Sequence, residues 1–138
     1  MSFLLLMLMV SSSLVYLLQI FLPKPKLPST NVVEYELRRE QEIELLKRGR
    51  TIVKFFFSEK CEDCEHMEDV LEDYANEYPD LFVEKIRSNE TKIVIIGFNV
   101  TNSSLNLQHK VLEELDEESL REALCDLMLN PPVECIGL

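Results

Sequence analysis

The alternation of apolar and polar positions divides the chain into three parts. Residues 2–22, SFLLLMLMVSSSLVYLLQIFL, carry no charged side chain, and about 20 apolar residues in a helix match the thickness of a bilayer core. Ser11, Ser12, Ser13 and Gln19 dilute this run. A membrane anchor and a signal peptide both begin this way; with no Ala-x-Ala-like site after it and no basic stretch before it, segment 1–22 reads as an N-terminal transmembrane helix. Prolines at 23, 25 and 28 without periodicity make 23–31 an extended tether. The remainder, 32–138, has the size of one compact domain.

Within that domain, VVEYELRREQEIELLKRG places Val33, Leu37, Ile43 and Leu46 near one helical face, and Gly49 stands where a helix would stop. TIVKFFFS, from Thr51, is too short and too β-rich for a helix, and its nearly unbroken apolar run suits a strand covered on both faces. Met67, Val70, Leu71 and Tyr74 then fall at helical spacing among acids, and Pro79 marks the end of that helix. LFVEKI (81–86) and KIVIIGF (92–98) read as strands separated by the polar RSNET. VTNSSLN (100–106) reads as a loop, Gln108–Leu112 as a short strand, and DEESLREALCDLML as a last helix, opened by acids and stopped by Asn130-Pro131-Pro132.

The formal net charge is −11, all of it outside the apolar segment. This argues against a nucleic-acid partner, because phosphate binding needs clustered Lys and Arg. Lys24 and Lys26 after the apolar run favour a cytoplasmic domain. The Asn-x-Ser/Thr sequons at Asn89, Asn99 and Asn102 favour a translocated one. The expected location is a single-pass membrane protein, with the balance toward the extracytoplasmic side.

The chemistry is concentrated in SEKCEDC. A strand that delivers two cysteines, Cys61 and Cys64, to the start of a helix has a physical use. The unpaired N–H groups and partial positive charge of a helix N-terminus lower the pKa of the first thiol and favour its thiolate. A second thiol one turn along can then resolve a mixed disulfide. Cys61 is the candidate nucleophile and Cys64 the candidate resolving thiol.

VKFFFSEKCEDC followed by an amphipathic helix resembles the thioredoxin-like redox proteins, in element order over about residues 32–130 and specifically over Thr51–Asp80. The resemblance implies a trimmed thioredoxin-like three-layer α/β/α sandwich, here with the N-terminal transmembrane helix. It also implies thiol–disulfide exchange with protein disulfide or dithiol partners, with no cofactor. The chain departs from the family in three places. The family has an aromatic or small residue before the first cysteine and pairs such as Gly-Pro between the two; here Lys60 precedes and Glu62-Asp63 intervene. Acidic neighbours disfavour a thiolate and Lys60 offsets part of this, which points to a more stable disulfide and a reducing couple. The family's cis-proline position falls on Thr91 or Lys92. Its crossover helix before the KIVIIGF strand has no counterpart in RSNET.

Other residues keep two readings open. Cys125 and Cys135 either form a second, structural disulfide or are a small buried hydrophobe and an incidental thiol. Four cysteines and His66 raise a zinc-stabilised binding module, although only one close pair exists where structural zinc commonly uses two, and no metal is expected. His66 otherwise reads as a solvated surface residue. The acids of 59–73 form either a wet helix face or a surface that selects basic partners. The alternative to an oxidoreductase is a non-catalytic thioredoxin-fold interaction module with Cys61–Cys64 as a structural bond.

Overall fold

The computed structural model describes residues 2–21 and 25–135, with the side chains of 19–21 left aside. Pro23 and Lys24 of the tether lie outside the described residues. Ten elements follow in order: α1 (Ser2–Phe21), β1 (Val32–Val33), α2 (Arg39–Lys47), β2 (Thr51–Phe57), α3 (Cys64–Glu77), β3 (Leu81–Arg87), β4 (Lys92–Thr101), β5 (Ser104–Leu112), α4 (Glu117–Leu127) and a 3-10 turn (Val133–Cys135).

The strands form one sheet in the order β1-β3-β2-β4-β5. β1 and β2 flank β3 in parallel, β4 runs antiparallel to β2, and β5 antiparallel to β4. Side chains alternate across the sheet. On one face, Val53, Phe55, Leu81, Val83, Ile93 and Ile95 pack against Met67, Leu71 and Ala75 of α3 and against Leu120, Ala123, Leu124 and Leu127 of α4. The opposite face has a smaller cluster, in which Ile52 and Phe82 meet Leu45 of α2 together with Val33 and Leu37. The α/β/α layering is therefore unequal. α2 covers the β1-β3-β2 side, and no helix lies between β3 and β4 to cover the rest.

The missing crossover helix has a topological reason. β4 runs antiparallel to β3, so it starts at the end of the sheet where β3 finishes, and the chain has only to step across β2. Two strand spacings come to about 10 Å, within reach of residues 88–91. The step is fastened to β2 where it crosses: Ser88 N–H donates to the Phe57 carbonyl at 2.8 Å.

Three sequence expectations are corrected here. Among the described residues no helix is long and apolar enough to cross a membrane, so the single-pass anchor, the membrane location and the membrane as partner are withdrawn. Ser11, Ser12 and Ser13 break the apolar run of α1. The helix expected over 32–49 is α2 alone. Val32 and Val33 instead extend the sheet opposite Val83 and Glu84. Leu45 is the buried residue of α2, while Ile43 is exposed. Its end is as expected: Gly49 at φ 77° donates to Leu46 and Arg50 donates to Leu45, the paired carbonyl closure of a Schellman motif. Finally, VTNSSLN is no loop. β4 and β5 continue through it to a two-residue turn, Asn102-Ser103, both with positive φ (49° and 66°), as a type I′ hairpin turn requires.

α4 is placed by a close approach. Thr51 Oγ donates to the Leu127 carbonyl at 3.0 Å, and that carbonyl lies directly over Gly97 of β4, where any Cβ would collide with it. Asp116 caps the other end of the helix, accepting from the N–H groups of Glu118 and Ser119.

Candidate active site

β2 ends at Phe57, and residues 58–63 turn the chain onto α3, whose first residue is Cys64. The turn is closed by the Cys61 N–H donating to the Ser58 carbonyl at 3.3 Å. Cys61 and Cys64 are joined as a disulfide with their Cα atoms 5.5 Å apart. They differ in access: Cys61 is half-buried, whereas Cys64 is 6% exposed and belongs to the core beneath α3. Asp63 stands at the N-cap of α3 but its side chain accepts no cap hydrogen bond. The Asp63 side chain thus leaves the first N–H groups of the helix uncapped.

Lys60, Glu62 and Asp63 are all exposed around the pair. Glu59 meets Arg87 of β3 at 3.7 Å, an exposed contact of little energetic weight. Thr91, the last residue of the β3–β4 step, has a definite partner. Its hydroxyl oxygen accepts from the Ser58 N–H at 3.2 Å and lies 3.1 Å from the Ser58 hydroxyl. Thr91 therefore pins the step to the turn that carries Cys61, and every peptide bond among the described residues is trans. A shallow polar groove lined by Ser58, Glu59, Lys60, Arg87, Ser88 and Asn89 opens between the two.

Cys125 of α4 and Cys135 of the 3-10 turn are also joined, with Cα atoms 5.6 Å apart, which ties the last turn to the helix. This pair lies apart from Cys61 and Cys64 in the fold, and the structure does not bring the four sulfurs together. Among the described residues no three His, Cys, Asp or Glu side chains converge as a metal site. His66 is a surface residue on α3, 4.0 Å from Glu117.

A buried polar cluster, whose pairing no local sequence pattern marks, lies under α2. Lys54 of β2 and Glu84 of β3 are paired in register and face α2. Lys54 Nζ lies 2.6 Å from Glu42 and 3.3 Å from Glu36. Burial works against the Lys54 charge, but the bond to Glu42 and the surrounding carboxylates outweigh it and hold the ammonium above its ordinary pKa. Glu84 is fully buried and accepts the Leu37 N–H at 2.5 Å. Burial pushes its carboxyl up to about 8, with the Leu37 N–H opposing and the Glu42 charge adding to the shift. The signal available was a charged residue in the middle of each of two apolar strands.

No protein-family model matches the chain, and no curated protein sequence matches it. Solved structures do. The chain is similar to the thioredoxin of Trichomonas vaginalis at 13% identity, with 68% of this chain and 95% of that one covered and a TM-score of 0.48. A thioredoxin from Halobacterium salinarum matches at 17% identity over 75% and 98%, TM-score 0.46, and that of Fasciola hepatica at 20% over 59% and 86%, TM-score 0.42. At these values the likeness is one of outline. The fold assignment rests on the strand order, the strand directions and the place of the cysteine pair between β2 and α3. These define a thioredoxin-like fold, trimmed of one helix, that carries a paired Cys-Glu-Asp-Cys.

Proposed function

We propose that this chain is a thiol–disulfide oxidoreductase acting on protein partners, and that it works as a reductant. The observation that carries the reading is the asymmetry of the pair at the head of α3: one sulfur half-buried, the other enclosed, under a helix end that no side chain caps. In the reduced protein the Cys61 thiolate attacks a substrate disulfide, forms a mixed disulfide and expels one substrate thiolate, which takes up a proton. Cys64 gives up its proton and attacks Cys61 Sγ, releasing the second substrate thiolate and closing Cys61–Cys64. Two electrons pass to the substrate. Enclosure keeps Cys64 from outside nucleophiles, so both entry and exit run through Cys61.

The direction follows from charge. Uncapped N–H groups favour the Cys61 thiolate, while Glu62, Asp63 and Glu65 disfavour it, with Lys60 as the near cation. A thiol held less acidic than in strong oxidants goes with a more stable disulfide. The same acids favour substrates with basic segments beside the disulfide, presented along the groove between residues 58–60 and 87–89.

The test is alkylation and mass mapping of the thiols of the full chain, equilibrated across graded thiol–disulfide buffers. Cys61 and Cys64 are expected to open together, with a midpoint closer to about −270 mV than to about −120 mV. A midpoint at the oxidising end would refute the reductant. Opening only below about −300 mV, where structural disulfides lie, would refute the oxidoreductase and leave a binding module. With Cys64→Ser a mixed disulfide on Cys61 should accumulate; with Cys61→Ser none should.

A further inference from the structure

Among the described residues β5 is an edge strand with no neighbour beyond it. Edges of this kind are templates for further strands, and proteins that stay apart blunt them with prolines, bulges, short length or charges. β5 uses none of these. Its nine residues pair with β4 without a break from Leu112 opposite Ile93 to Ser104 opposite Thr101. Its one lysine, Lys110, is turned toward α4 and engaged with Asp126. On the opposite face, left bare by the short β3–β4 step, Leu105, Leu107 and Val111 are 54%, 57% and 48% exposed. Leu105 and Leu107 extend an apolar row by pairing with Val100 and Phe98 of β4.

We propose that two copies of this chain join through β5, edge to edge and antiparallel, about a two-fold axis at Gln108. Charge selects a second copy as the occupant. The chain holds 25 Asp and Glu, yet none between Lys92 and Leu112. A protein of net charge −11 repels its own copy across most of its surface, and this hairpin is a face on which no carboxylate meets a carboxylate.

Hydrogen-bond parity fixes the register. The two-residue turn closes on Thr101 and Ser104, so Ser104 and every second residue after it bond to β4. The N–H and C=O groups of Leu105, Leu107, His109 and Val111 therefore point outward. Centring the two-fold on Gln108 sets Leu105 opposite Val111 of the second copy and Leu107 opposite His109. All four outward residues of each strand are then bonded, and the apolar rows become continuous. An interface of this kind is isologous and closes at two copies.

The register makes the test specific. All four native cysteines are paired, so an introduced thiol is the free one. Residues facing each other at a non-hydrogen-bonded position lie about 4.5 Å apart at Cα, inside the range a disulfide spans. In the full chain under mild oxidation, Gln108→Cys should give a 108–108 linked peptide, identified by mass, at least about tenfold faster than Glu77→Cys on exposed α3 or Leu107→Cys, which is out of register with itself. Adding Leu105→Lys and Leu107→Lys, both at exposed positions, should reduce that yield by about tenfold. Equal rates at all three positions would overturn the proposal and assign association to the apolar α1. Faster linkage at Leu107 than at Gln108 would overturn the register, and no linked peptide would overturn the dimer.

Discussion

Replacing Glu84 with glutamine is expected to stabilise the protein by an amount set by pH. Glu84 is buried beneath α2; one carboxyl oxygen accepts the Leu37 N–H and the other has no hydrogen-bond partner among the described residues. Its pKa is about 8 in the folded protein, against 4.5 for an unperturbed glutamate. Below pH 4.5 the group is protonated in both states and costs nothing. Between 4.5 and 8 the folded protein keeps a proton that the unfolded chain gives up, so stability falls as pH rises, by about 1.4 kcal/mol per unit. Above 8 the loss is complete. At pH 7 the ceiling is about 3 kcal/mol. Glutamine keeps the oxygen that Leu37 uses, cannot ionise, and offers N–H groups to Glu42 where the carboxylate repelled it. Urea denaturation of both proteins at pH 5, 6, 7 and 8 should give nearly coincident free energies at the acid end and a gap that widens with pH toward a ceiling of about 4 kcal/mol at pH 8. Curves that run parallel across this range, or a variant less stable than the parent at pH 8, would refute the burial argument.

Three further outcomes are expected. Gly97→Ala drives a methyl group into the Leu127 carbonyl and should cost about 3 kcal/mol, read from the denaturation midpoint, because α4 must lift from the sheet. Ser103→Gly relieves a serine held at φ 66° and completes the Asn-Gly pair that a type I′ turn prefers, raising stability by about 1 kcal/mol in the same measurement. Removing the tail bond with Cys125→Ser and Cys135→Ser together should cost about 3 kcal/mol by the loop-entropy relation, while leaving the Cys61–Cys64 midpoint unchanged in thiol mapping.

The sequence was most readable where a single constraint dominated. β2, β3 and α3 follow from long apolar runs or clean helical spacing, and the turn holding Cys61 follows from their junction. The apolar spacing extends α2 too far toward its N-terminus because Val33 and Leu37 lie at helical spacing by coincidence: one bonds into the sheet and the other covers Glu84. The pattern shortens β5 because an edge strand exposed on both faces needs no apolar alternation, only a partner for its backbone; the informative residue is Asn102, suited to left-handed backbone. The Lys54–Glu84 pairing depends on strand order and register, which no local pattern contains. The role of Thr91 depends on a step short enough to bring it against Ser58.

The β4–β5 hairpin also bears on the order in which the chain acquires its structure. Its pairings join near neighbours, down to Thr101 with Ser104, whereas β1 meets β3 through residues as distant as Val32 and Val83. Hairpins close in about 1–10 μs, and distant parallel pairings wait on the entropy of long loops. The hairpin is thus the natural early structure, and β1 the late one. Weakening the turn at Asn102 should slow folding, whereas weakening Val33 should mainly hasten unfolding. Until α4 arrives, the nascent hairpin presents both faces bare, so the interval before the last helix docks is when this chain is most exposed to aggregation.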